Sequence, residues 1–125
     1  MTIDVTFTLE GVDYSQHLLK YKVSHEIETR KLMTAIDGTE YTATQIRPSI
    51  IFSLVSLSDE QSESLYEILS KPSIEVTYTD PYLGDNQSSV MRVVSELNST
   101  FVIRDTNDNR YYKGDEITLR SRTVL

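Results

Sequence analysis

The chain predicts a mainly β fold, an antiparallel β-sandwich or barrel with one α-helix on its flank. Three observations carry this. Short stretches of alternating apolar and polar residues recur along most of the sequence, which is the period of a half-buried strand. Glycines and Asp/Asn clusters fall between those stretches, where chain reversals belong. A helix signal stands alone between residues 58 and 70, and an isolated amphipathic helix needs a sheet to lie on. At 125 residues the chain fits a single β-rich domain, residues 1–125, with room for a core and no need of covalent staples.

From the N-terminus, Ile3, Val5, Phe7 and Leu9 share one strand face, with Thr2, Asp4, Thr6 and Thr8 on the other. Glu10-Gly11-Val12-Asp13 reads as a turn. Leu19, Tyr21 and Val23 alternate with Lys20, Lys22 and Ser24 as a half-exposed strand. His25 to Met33 is polar and reads as an extended, loosely paired arm, followed by a turn centred on Asp37-Gly38. Thr44 to Leu57 carries a long strand signal with Ile46, Pro48, Ile50, Phe52 and Leu54 on one face. Pro48 has no amide to donate, so the strand lies at an edge there or is bulged.

The helix spans about Ser58 to Ser70. Ser58 supplies a capping side chain, and Gln61 three residues on completes a capping box. Leu65, Ile68 and Leu69 form one face, and Lys71-Pro72 stops the ladder. Ile74, Val76 and Tyr78 begin the next strand, which leads into Asp80 to Asn86, a segment of turn formers expected as an exposed loop. Val90 to Leu97 carries apolar residues on both faces and predicts a strand covered on both sides. Residues 101–104 and 110–113 flank a polar tip, Asp105 to Asn109, as a hairpin. Ile117 to Val124 is the last strand.

Asp and Glu number 19 against 12 Lys and Arg, a net charge of −7, which disfavours direct nucleic-acid recognition and anionic membranes. Arg120 and Arg122 could form a local basic stripe, but the simpler reading, two outward residues on a last strand, is preferred. Cysteine is absent, so disulfides, thiolate metal sites and thiol nucleophiles are excluded. Neither a signal peptide nor a membrane-length apolar run is visible, so no membrane insertion is expected. The reading is of a protein kept, or assembled into something larger, in a cytoplasm.

No metalloprotease, nucleophile-elbow or phosphate-loop motif is present, and no catalytic residue or cofactor is expected. His17 and His25 are the first places to look if the chain were a hydrolase with a dispersed site. Asp105, Asn107, Asn109 and Glu116 match ligand positions of a calcium loop, but Arg110 stands where that loop needs glycine, and the flanks read as strands. Asn86-Gln87-Ser88 and Asn98-Ser99-Thr100 fit the glycosylation pattern by accident. Tyr78, Tyr82, Tyr111 and Tyr112 fall in or beside loops and hairpins, and Tyr82 and Leu83 would be apolar contacts at a loop tip. Tyrosine exposed there suits an interface, having an apolar body and a polar tip. Tyr111 and Tyr112 point to opposite faces of a regular strand, so one of them should be exposed.

The order of several segments resembles a family of small proteins encoded near the tail genes of tailed bacteriophages and prophages. The segments are Gly11-Val12-Asp13-Tyr14-Ser15 leading into Leu19-Lys20-Tyr21, then Ile36-Asp37-Gly38-Thr39, Ile46-Arg47 and Leu57-Ser58-Asp59-Glu60. The closest match is Val76-Thr77-Tyr78-Thr79-Asp80-Pro81-Tyr82-Leu83-Gly84, and the chain ends on a strand bearing Arg120 and Arg122. The family often carries tryptophans, and this chain has none. The resemblance implies a structural protein of the tail tube, tail tip or baseplate, sharing the β-sandwich-plus-helix fold of tail-tube and distal-tail proteins. It implies a homo-oligomer, a ring of six in the commonest form, docked to other tail proteins. The protein would then reside in the virion after assembly in the bacterial host cytoplasm. The rival reading is a monomeric β-module that binds a sugar or host-surface ligand, with calcium as its aid.

Overall fold

The computed structural model describes residues 5–97, 99–104 and 110–124. Its strands are β1 (Phe7–Leu9), β2 (Val12–Asp13), β3 (Leu18–Thr34), β4 (Glu40–Leu54), β5 (Ile74–Asp80), β6 (Gly84–Val93), β7 (Ser99–Arg104), β8 (Arg110–Gly114) and β9 (Ile117–Ser121). The α-helix, α1, covers Asp59–Leu69. Seven strands form one antiparallel sheet in the order β2-β1-β5-β6-β9-β4-β3, and β7 pairs with β8 alone. The fold is therefore mainly β with one helix, as the alternation predicts.

The sheet is rolled on its apolar face. Phe7 on β1, near one edge, packs its ring 4.8 Å from Phe52 on β4 and 5.7 Å from Tyr21 on β3, the opposite edge. The two ends of the strand order thus meet through side chains, with Ile50, Val76, Tyr78, Met91 and Leu119 filling the inside. The Tyr21 hydroxyl donates to the Thr79 carbonyl at 2.6 Å and ties β3 to β5. Burial, reinforced by Tyr78 and Asp80 close by, pushes that hydroxyl well above its ordinary pKa, so it stays a donor.

The helix begins where its capping pattern places it. Ser58 Oγ accepts from the Gln61 amide at 3.3 Å, and Gln61 Oε1 accepts from the Ser58 amide at 3.0 Å. Leu65, Ile68 and Leu69 are buried, while Glu60, Glu63, Tyr66 and Glu67 face solvent. The β7–β8 hairpin is fastened to the start of this segment by a two-way backbone bridge. Tyr112 donates to Leu57 at 2.8 Å, and Leu57 donates back at 3.3 Å.

Turns form where glycine or aspartate permits them. Glu10 and Gly11 both hold positive φ, 50° and 81°, the geometry of a tight hairpin turn joining β1 to β2. At Ala35–Thr39 the Ala35 amide donates to Thr39 O at 2.7 Å, and Asp37 Oδ1 accepts from the Thr39 amide at 2.9 Å.

Some details differ from the sequence reading. A bulge between Leu18 and Lys20 turns Leu19 out, so it is exposed while Leu18 packs against the core. The loop expected over Asp80 to Asn86 shrinks to residues 81–83, because β6 already begins at Gly84. β6 is covered on one face only: Met91 is buried, but Val90 and Arg92 face outward. The stretch from His25 to Met33 is extended as expected, but it is paired throughout except at Leu32, where a bulge interrupts the register. It is the distal part of β3, which pairs with β4 from Leu18↔Leu54 to Thr34↔Glu40 with register shifts at Leu18/Lys20 and Lys31/Met33.

Candidate assembly surface

The β3–β4 hairpin outruns the sheet that supports it. β9 pairs with β4 only over Ser49–Phe52. From Pro48 to Glu40, β4 has β3 on one side and no described strand on the other. Pro48 therefore sits at the start of an edge, where its missing amide costs least. Beyond it the hairpin forms an arm roughly 25 Å long, taking eight residues at strand rise. Both arm faces are open. Ile27 is 69% exposed, Leu32 60%, Met33 58% and Ile36, at the turn, fully exposed. Tyr41 opposite Met33 is also exposed.

A second exposed feature stands beside the root of this arm. Asp80 ends β5 with its side chain fully buried. One carboxylate oxygen accepts from the Tyr82 amide at 2.8 Å and shapes the turn, an Asx arrangement. The other lies 2.5 Å from His25 Nε2 on β3. The Tyr82 ring lies beside the imidazole, its centroid 5.4 Å away. Gly84, at φ 99°, completes the reversal, and Gln87 Nε2 donates to the Leu83 carbonyl at 3.1 Å. The turn is thus pinned from both sides, yet it presents Tyr82 at 80% and Leu83 at 47% exposure. Ile27 lies one step further along the same strand face as His25, about 7 Å away at strand rise.

Asp80 couples the turn to the arm, so its amide analogue should loosen both. Asp80→Asn keeps an acceptor for the Tyr82 amide but removes the carboxylate from His25. The expected loss is about 1.5–3 kcal/mol, the usual worth of a hydrogen bond to a charged group, measured by urea unfolding.

The other candidates fall elsewhere. Tyr111 and Tyr112 are both half-buried, so neither is the freely exposed member of the pair that strand alternation suggested. Tyr112 packs against the core beside Leu57. Asp105, Asn107 and Asn109 lie outside the described residues. Glu116 is exposed, and its carboxylate pairs with Lys20 Nζ. His17 serves the helix start: its Nδ1 lies 3.2 Å from the Val55 carbonyl, and its Nε2 3.4 Å from Gln61 Nε2. The two histidines therefore work in separate places.

The His25–Asp80 pair escaped the sequence reading. Its one visible trace was the alternation Tyr21-Val23-His25, which puts a histidine on an inward face and so demands a partner there. No protein-family model matches this chain, and a search of curated proteins gives no match.

Proposed function

We propose that this protein is a structural component of a phage or prophage tail, of the tail tube, tail tip or baseplate. It acts by self-association into a ring, six copies in the form the resemblance implies, and by docking to neighbouring tail proteins. In this reading it is assembled in the bacterial host cytoplasm and resides in the virion, and no residue is catalytic. The observation that carries the reading is the arm. β3 is a 17-residue strand at the end of the sheet order, with its outer row of amides and carbonyls free of any described neighbour. A long edge strand of that kind templates further pairing unless a partner covers it. The apolar side chains at Ile27, Leu32, Met33, Ile36 and Tyr41 supply what such a partner would bury. The net charge of −7 suits a tail component that DNA passes without adhering.

The loop beside the arm provides a test. Replacing Tyr82 and Leu83 together by serine should raise the midpoint concentration for assembly about tenfold or more, equivalent to about 1.4 kcal/mol of lost contact. The monomer should unfold within about 0.5 kcal/mol of wild type, as exposed substitutions do. Light scattering and urea titration read the two effects separately. Unfolding of the variant monomer would mean that these side chains support the core and not an interface.

A further inference from the structure

We propose that the outer face of the sheet over β6, β9 and β4 is the seat for helix α1 of a second copy. This inference rests on the self-association reading and names the two surfaces that meet. The seat is cationic in an acidic chain. Arg92 on β6 lies directly opposite Arg120 on β9, and Arg120 lies opposite Ser49, two residues from Arg47 on β4. Arg122 continues the row beyond β9, its amide donating to Val90 O at 2.8 Å. Arg47, Arg92, Arg120 and Arg122 line one shallow depression.

The depression is under-neutralised. Glu26 bonds Arg120 at 3.0 Å, and Glu28 bonds Arg47 at 3.3 Å. Arg92 has no ion pair or hydrogen bond among the described residues. Arg120 Nε is buried without an acceptor there. Two like charges directly across a ladder destabilise a sheet. An incoming carboxylate removes that repulsion and gives the exposed Arg92 guanidinium an acceptor.

The chain carries the complement on its own helix. Glu60, Glu63 and Glu67 fall within about 60° of one another around α1, at helical spacing. All three are exposed, and none is in an ion pair among the described residues. The stripe from Glu60 to Glu67 is about 10 Å long at helical rise. Two inter-strand steps from β6 to β4 also span about 10 Å. Tyr66, 64% exposed, borders the stripe and offers a ring face to a guanidinium. The two patches differ, so the contact is head-to-tail, which builds a ring when the rotation closes and a filament when it does not.

The test uses charge reversal and mixing. Arg92→Glu alters an exposed, unpartnered side chain and gives Arg120 an opposite charge, so the fold is kept. Glu63→Arg with Glu67→Arg leaves the capping box intact. Each variant should raise the midpoint concentration for assembly at least about tenfold, as loss of interfacial charge pairs does. Mixed one to one, the variants should assemble again, because each then meets a complementary patch on the other. Wild-type assembly should also weaken between about 0.05 M and 1 M salt, where screening shortens to about 3 Å. Wild-type rings that survive R92E unchanged overturn this contact but leave self-association standing. A wild-type monomer at every concentration overturns both. Duplex DNA that binds wild type but not R92E, with the mass series unaltered, overturns the contact in favour of a nucleic-acid surface.

Discussion

Phe7→Ala is expected to cost about 3–5 kcal/mol of stability, the range for truncating a fully buried phenylalanine. The position magnifies the effect. Phe7 is wholly buried on a strand of only three residues, and its ring contacts Phe52 and Tyr21 from the far end of the strand order. No hydrogen-bonded ladder is described between β1 and β3, so these ring contacts, the Tyr21–Thr79 bond and the His25–Asp80 pair hold the roll closed. The cavity left by alanine opens at that seam, where the edges can part. Urea unfolding should show the lower midpoint, and amide exchange should quicken first in β1 and β3. A loss below 1 kcal/mol would mean that the sheet closes by other means.

The second large effect is on assembly, with little on folding. Replacing residues 28–45 by Asn-Gly joins Ile27 to Ile46, a directly opposed pair in the ladder, through a favoured two-residue turn. The excised residues are exposed or nearly so, and none belongs to the buried core. The shortened monomer should therefore melt close to wild type. Assembly should be lost, because Leu32, Met33, Ile36 and Tyr41 go with the arm. Fully burying such a side chain contributes about 1.5–3 kcal/mol, and each ~1.4 kcal/mol is tenfold in affinity. Several together move a micromolar association beyond reach. Sedimentation velocity at matched concentrations would show the change. An arm-less chain that still assembles would place the contact elsewhere.

Local signals in the sequence were legible and long-range ones were not. The helix was readable to within a residue at each end because capping box, apolar stripe and Lys71-Pro72 agree locally. The Asp37-Gly38 turn was equally plain, since one side chain closes it. Pro48 announced an edge, and the end of β9 pairing supplies one. Leu19 misled because a bulge inverts strand parity without a sequence mark. The loop after β5 looked longer than it is because Asp85 and Asn86 are turn formers used in a bulge of β6 rather than in a loop: Asp85 accepts from the Thr79 hydroxyl at 2.7 Å, and Asn86 adopts positive φ.

The arm shows the limit most clearly. Residues 25–33 are polar, so composition suggested loose pairing. Its order comes from β4, whose partner residues lie up to 23 positions away at His25↔Pro48. Of the proposed contact residues, Tyr82 and Leu83 were readable as loop-tip apolar groups. The carboxylate that holds their turn against His25, 55 residues away, was not. Of the arginine row, Arg120 and Arg122 were readable as a short basic stripe, but Arg47 and Arg92 were not, since cross-strand register, not spacing in sequence, sets Arg92 beside Arg120.

Self-association is the central claim, and multi-angle light scattering on a sizing column, across a concentration series of the wild-type chain, tests it most directly. The account predicts a discrete mass that is a fixed multiple of the 14.3 kDa chain, six copies if the resemblance holds, growing at the expense of monomer as concentration rises. A single monomer mass at every concentration would contradict it.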